Sequence, residues 1–136
     1  MYPEYLVAPM RQELTSVGFE DLKTAEEVDQ AIKGEGTVLV MVNSVCGCAA
    51  ANARPAAKIA SQQEKKPDKF ITVFAGVEKE AVDQARSFMI PYPPSSPAIA
   101  LFKDGKLVHM IERHQIEGRP AQMIADNLIE AFEEYC

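Results

Sequence analysis

Two of the chain's three cysteines, Cys46 and Cys48, stand one glycine apart in the segment Asn43–Ala56, NSVCGCAAANARPA. Sulfur chemistry at such a pair takes one of three forms. One thiolate can attack a disulfide while the other resolves the product. The two can share a soft metal ion, or both can be unreactive small hydrophobes at a helix start. For the first form, Arg113 and His114 supply cations able to stabilise a thiolate or grip an anion. For the second, structural zinc wants four ligands, and with no second C-x-C or C-x-x-C the supplements are His109, His114 and Cys136.

The flanking elements decide how the pair is held. Thr37–Asn43 is a near-continuous β-branched and aliphatic run, suited to a central strand buried on both faces. Mostly alanine follows from Gly47 to Ala60, so the strand delivers Cys46 to the first turn of a helix. Pro55, inside that helix, predicts a kink. Free N–H groups and the positive end of the helix dipole favour a thiolate at Cys46 and lower its pKa. Gly47 is expected to relieve crowding so that the two sulfurs can meet. A ring closed across one residue predicts a strained, easily reduced disulfide.

Around this centre the pattern predicts a helix over Tyr5–Leu14 closed by Gly18, and a short edge strand over Phe19–Leu22. Thr24 and Glu27 form a capping-box signature for a helix ending at Gly34. Then come a strand over Phe70–Phe74, a helix over Glu78–Met89 and a break at Pro91–Pro97. A hairpin turns at Asp104-Gly105. A closing helix, Pro120–Tyr135, is expected to face Met123, Ile124, Leu128, Ile129 and Phe132 inward. The βαβ part requires parallel strands and the hairpin adds antiparallel ones, so residues 1–136 read as one domain with a mixed sheet between helices. With the first hairpin strand antiparallel to Thr37–Asn43, Ser95-Ser96-Pro97 lies beside the cysteines and Asp104-Gly105 at the far end. The return strand, Leu107–Ile111, then brings Arg113 and His114 back to the cysteine end. His109 reads as a strand histidine with a structural partner.

Composition narrows the partners. Of 136 residues, 14 are Lys or Arg and 20 are Asp or Glu, a net charge of −6 that disfavours nucleic acid and anionic membranes. No run approaches the roughly eighteen apolar residues of a membrane span. The first basic residue is Arg11 and the early apolar run is too short for a signal peptide, so a cytoplasmic location is expected. In a reducing compartment a close cysteine pair is redox-active or metal-binding rather than a staple.

The element order resembles the thioredoxin fold. That resemblance implies an α/β, three-layer α/β/α sandwich with a mixed central sheet and, here, an extra N-terminal helix. Ser96–Gly105, SPAIALFKDG, resembles the thioredoxin strand that opens on a cis-proline and ends in a Lys-Asx-Gly turn. It implies that Pro97 is cis and faces Cys46, offering backbone beside Ser96 to a bound substrate. Three departures stand out: no tryptophan, C-G-C in place of C-G-P-C, and Val40 where thioredoxins bury an aspartate six residues before the first cysteine.

A more specific similarity is to the bacilliredoxins. It rests on NSVCGCAA and ARPA around the pair, VAPMR (Val7–Arg11), VFAG (Val73–Gly76), PSSP (Pro94–Pro97), Arg113-His114 with Ile116-Glu117-Gly118, and the terminal Cys136. The resemblance implies a thiol–disulfide oxidoreductase that removes bacillithiol from mixed disulfides on oxidised cytoplasmic proteins. Cys46 would attack, and Cys48 or a second bacillithiol would complete the cycle. Bacillithiol enters as a thiol co-substrate; no resident cofactor and no metal are implied. Its malate carboxylates are expected to pair with Arg113. A protein disulfide isomerase or general disulfide reductase is a variant of the same chemistry. Cys136, at the end of a helix, is expected to be exposed and dispensable.

Overall fold

The computed structural model describes residues 2–136. Along the chain run α1 (Glu4–Thr15), β1 (Glu20–Asp21), α2 (Ala25–Lys33) and β2 (Thr37–Asn43). A π-helical turn (Ala49–Ala53) leads into α3 (Arg54–Ser61), followed by β3 (Lys69–Phe74) and α4 (Lys79–Ser87). β4 (Ala98–Lys103) and β5 (Lys106–Ile111) form the hairpin, and α5 (Arg113–Ile116) and α6 (Ala121–Tyr135) close the fold.

All seven residues of β2 are buried because this strand lies at the middle of the sheet, in the order β1-β3-β2-β4-β5. β1, β3 and β2 are parallel, whereas β4 runs antiparallel to β2 and β5 antiparallel to β4. Strand side chains alternate between faces. Leu39 and Met41 therefore join Leu14, Ala57, Leu128 and Phe132 in one core, under α1, α3 and α6. Val38, Val40 and Val42 join Val28, Ile32, Ala81 and Val82 in the other, under α2 and α4. The result is the α/β/α sandwich with a mixed sheet and an added N-terminal helix. Among the described residues no helix is long and apolar enough to cross a membrane.

Local chemistry explains the boundaries. Thr24 Oγ1 accepts from the Glu27 N–H at 3.2 Å, and Glu27 Oε1 accepts from the Thr24 N–H at 3.1 Å, closing the capping box of α2. The backbone N–H of Lys23, with the two groups of Thr24, holds the Glu27 carboxyl below its usual range. Asp104 (φ 50°) and Gly105 (φ 82°) both take left-handed conformations, as a type I′ hairpin turn requires.

Two expectations need correction. Met123 is 52% exposed; the inner stripe of α6 is Ile124, Ala125, Leu128, Ala131 and Phe132, which leaves Met123 one position outside it. Pro55 does not kink a continuous α-helix. The helix is interrupted before it by the π turn, in which the Arg54 N–H reaches the Ala49 carbonyl, and Pro55 falls in the first turn of α3, where a missing donor costs least. An element not assigned from the sequence also appears: the segment carrying Arg113 and His114 is a short helix, α5. Glu112 caps it with Gln115 Oε1 accepting from the Glu112 N–H at 2.8 Å. Glutamate is an uncommon N-cap, which is why the helix start is hard to read from sequence.

Candidate active site

β2 ends at Asn43 and the chain turns through Ser44 and Val45 into the helix start. The Cys46 carbonyl accepts from the N–H groups of Ala49 (3.1 Å) and Ala50 (3.2 Å), so Cys46 stands at the N-cap position. A helix that begins here leaves the first-turn N–H groups of Gly47 and Cys48 without intrahelical acceptors. Cys46 and Cys48 are joined as a disulfide, with Cα atoms 5.5 Å apart. Both residues are half-buried, but in different senses. Cys48 packs against the apolar core under α3 and α6, and Cys46 is not part of it.

Gly47 plays a different part from the expected one. Its φ lies outside the left-handed region, and a Cβ built on it meets nothing within 4 Å. Ring closure in this conformation does not depend on glycine; Gly47, exposed between the two cysteines, leaves open space at its own position.

The antiparallel pairing of β4 with β2 sets Ala98 opposite Val42, so Pro97 abuts Asn43 at the cysteine end. The Ser96–Pro97 peptide is cis, as is Ile90–Pro91. At the other end Lys103 lies opposite Thr37, which carries the Asp104-Gly105 turn away from the sulfurs. β5 returns beside β4, with Ile111 opposite Ile99, and delivers Arg113 to the same loop. The Arg113 N–H donates to Ser95 Oγ and its Nη1 to the Ser96 carbonyl, each at 3.3 Å, while Nε pairs with Glu117 Oε2 at 2.8 Å. His114 is exposed on α5 and hydrogen-bonds to none of these groups. The topology thus brings Ser96, Pro97 and Arg113 together at the end of the sheet that holds the cysteines, and leaves His114 at its margin.

Arg86, on α4, was not singled out in the sequence. Its Nη2 donates to the Ser95 carbonyl at 3.3 Å, and its Nε is buried without a partner. Desolvation lowers its pKa from the ordinary arginine value. Behind the cysteine turn lies a second unforeseen group: Arg54, 2% exposed, whose Nη1 donates to the Ser44 carbonyl at 2.8 Å. The signals were its place in the ARPA segment and its setting in an alanine-rich run, where small neighbours leave room for one long side chain.

A third buried arginine, Arg11, serves the scaffold. Its guanidinium meets Asp21 Oδ2 at 3.0 Å and Glu78 Oε2 at 2.7 Å and lies 5.3 Å from the centre of the Phe74 ring. It pins α1 to β1 and to the start of α4. Burial pushes the Asp21 carboxyl up, and Arg11 opposes that shift.

The metal reading loses two of its three supplementary ligands. His109 Nε2 is 2.6 Å from Asn127 Oδ1, a structural partnership between β5 and α6. Cys136 lies near Thr37, at the opposite end of β2 from Cys46. About 20 Å of strand separates those ends at the usual rise per residue. Among the described residues no three His, Cys, Asp or Glu side chains cluster as a metal site requires.

Comparison with known proteins agrees with this geometry. Residues 2–136 match the family model described as "Disulphide isomerase". The chain is 56% identical over 134 residues to a bacilliredoxin of Cytophaga hutchinsonii, covering 98% of this chain and 99% of that one. It is 51% identical to a bacilliredoxin of Staphylococcus haemolyticus, covering 100% and 94%. Among solved structures, a variant thioredoxin from Halobacterium salinarum superposes with a TM-score of 0.61 at 18% identity, covering 88% of this chain and 91% of that one. Thioredoxin from Trypanosoma brucei brucei gives 0.60 at 19%, covering 85% and 92%. The fold is that of thioredoxin. A C-G-C pair at the N-cap of its active-site helix, in a chain half identical to these relatives, is the apparatus of a thiol–disulfide oxidoreductase, and the protein belongs to the bacilliredoxin family.

Proposed function

We propose that this protein removes bacillithiol from mixed disulfides on oxidised proteins of a reducing, cytoplasmic compartment, with Cys46 attacking and Cys48 resolving. The observation that carries the assignment of the two sulfurs is their unequal surroundings: Cys48 packs into the core, while Cys46 caps the helix outside it. In the first step the Cys46 thiolate attacks the bacillithiol sulfur of the mixed disulfide. The protein–bacillithiol S–S bond breaks, the client leaves as a thiolate that takes up a proton, and Cys46 carries the bacillithiol. In the second step Cys48, deprotonated, attacks Cys46 Sγ, expels bacillithiol thiolate and forms the Cys46–Cys48 disulfide. A second bacillithiol can instead attack the adduct, leaving oxidised bacillithiol and a free Cys46 thiol.

The roles of the remaining residues follow from chemistry. Ser96 and Pro97 offer backbone to the substrate beside the sulfurs. Arg113, with its side chain 45% exposed, can exchange Glu117 or the Ser96 carbonyl for a malate carboxylate. His114, exposed at the margin, adds an imidazole able to hydrogen-bond a substrate on the same approach. Support for the substrate is the name borne by the relatives, bacilliredoxin.

The test is mass spectrometry of the reduced protein mixed with a bacillithiolated client. The reading expects a bacillithiol adduct on Cys46, accumulating in Cys48→Ser and absent in Cys46→Ser. An adduct that forms equally well in Cys46→Ser overturns the assignment. A second reading, disulfide isomerase, is favoured by the description of the matched family. It expects repair of scrambled disulfides with no low-molecular-weight thiol present.

A further inference from the structure

Arg54 heads the fully buried side chains by volume, and it carries a charge. A guanidinium does not lose its proton in a protein, so a permanent positive charge sits in this core. Such burial is costly, and an apolar side chain of similar size commonly serves stability as well or better. What Arg54 touches gives the charge a purpose. Its Nε pairs with Glu13 Oε2 of α1 at 3.0 Å. Its Nη1 donates to the Ser44 carbonyl at 2.8 Å and to Asn43 Oδ1 at 3.1 Å.

From there the chain of contacts runs to the sulfur. Asn43, fully buried, also accepts from the Ser44 N–H at 2.9 Å and donates through Nδ2 to the Met10 carbonyl at 3.4 Å. Ser44 Oγ accepts from the Cys46 N–H at 3.2 Å. The turn between β2 and the helix is therefore held from α1 and α3 through Arg54 and Asn43. We propose that Arg54 is a positioning residue for Cys46: its guanidinium fixes the Asn43–Cys46 turn, its charge favours the Cys46 thiolate, and Glu13 sets how much of that charge the sulfur feels. This rests on Cys46 being the attacking sulfur and names what tunes it.

The other charged groups at this end have separate engagements. Arg113 pairs with Glu117, Arg86 with the Ser95 carbonyl, and Arg11 with Glu4, Asp21 and Glu78; His114 is exposed on α5. Of these cations, Arg54 is the one hydrogen-bonded into the turn that carries Cys46.

The experiment uses protein carrying Cys48→Ser and Cys136→Ser, so that Cys46 is the sole thiol, and follows its alkylation by iodoacetamide across pH. Glu13→Gln keeps Arg54 and a hydrogen-bond acceptor while removing the counter-charge. It should lower the pH midpoint by about half a unit, about threefold in thiolate fraction below the midpoint. Arg54→Gln should raise the midpoint. Opposite shifts separate an electrostatic role from a purely structural one, which moves neither midpoint or moves both the same way. Should Arg54→Gln fail to fold, Glu13→Gln decides: a midpoint that stays or rises overturns the proposal. An adduct forming at Cys48 in protein with both cysteines present would instead sink the assignment of attack, and the two failures are read separately.

Discussion

Arg54 Nη1 lies 2.8 Å from the carbonyl oxygen of Ser44, two residues before Cys46, so a buried cation of α3 is bonded directly to the turn that presents the sulfur. The sheet supplies the opposite wall. Ala98 opposite Val42 fixes where Pro97 stands, and the return of β5 fixes where Arg113 stands. Each of the following expectations depends on one of these relationships.

Gly47→Ala should fold, and should still close the Cys46–Cys48 disulfide. The backbone there is compatible with any L residue and a Cβ meets open space. Such replacements commonly stabilise by about 0.4–1 kcal/mol by restricting the unfolded chain. Thermal melts and a thiol count after oxidation check this. What should suffer is the reaction rate with bulky protein disulfides, relative to small ones, because an exposed methyl then stands between the two cysteines. A protein that no longer oxidises would show that glycine is needed for closure after all.

Arg113→Gln should raise KM for a bacillithiol mixed disulfide about three- to tenfold with little change in kcat, the loss of one charge-assisted contact. A mixed disulfide of the client with mercaptoethanol, which has no carboxylate, should show no difference. Equal losses with both substrates would mean that Arg113 only props the Ser95–Ser96 loop.

Cys136→Ser should leave turnover within about twofold, because β2 alone holds Cys46 and Cys136 about 20 Å apart. Although the residue is exposed, desolvation pushes its thiol up, the Thr37 hydroxyl opposing. In the reduced protein at pH 7, Cys136 should therefore alkylate more slowly than Cys46. Peptide mapping after a short pulse of iodoacetamide reads both rates, and a Cys46–Cys136 disulfide within one chain would contradict the fold.

Thr24→Ala should lower Tm by a few degrees at neutral pH without touching the sulfur chemistry, since α2 lies across the sheet from α3. The Glu27 carboxyl is depressed in the folded state, so its contribution is present above its unfolded pKa and lost as pH falls through the folded one. The gap between wild type and variant should narrow in acid. A gap that stays constant down to pH 3 would mean that the Thr24 hydroxyl does not help to hold the Glu27 carboxylate, which keeps the Lys23 and Thr24 backbone N–H groups in the variant.

Much of this was legible in the residues. The unbroken apolar run of Thr37–Asn43 announced a central strand, and Asp104-Gly105 announced the turn. From those two facts the antiparallel register carried Ser96, Pro97 and Arg113 to the cysteine end. What escaped were tertiary partnerships between residues distant in sequence. Nothing local about Arg54 says that it meets Glu13, forty-one positions earlier, or that it bends back to Ser44. Arg86 reaches Ser95 only because the proline segment folds back onto α4. Met123 failed for a simpler reason: helix phase, set by where Pro120 starts α6, put it one position off the stripe.

The central claim is that Cys46 attacks and Cys48 resolves. The most direct measurement is intact-mass and peptide-level mapping of the adduct formed when each variant lacking one cysteine of the pair, reduced, meets a bacillithiolated client protein. The account predicts a bacillithiol adduct on Cys46 in Cys48→Ser with release of the client thiol, and neither adduct nor release in Cys46→Ser. Release of client thiol by Cys46→Ser at the wild-type rate, with the adduct on Cys48, would contradict it.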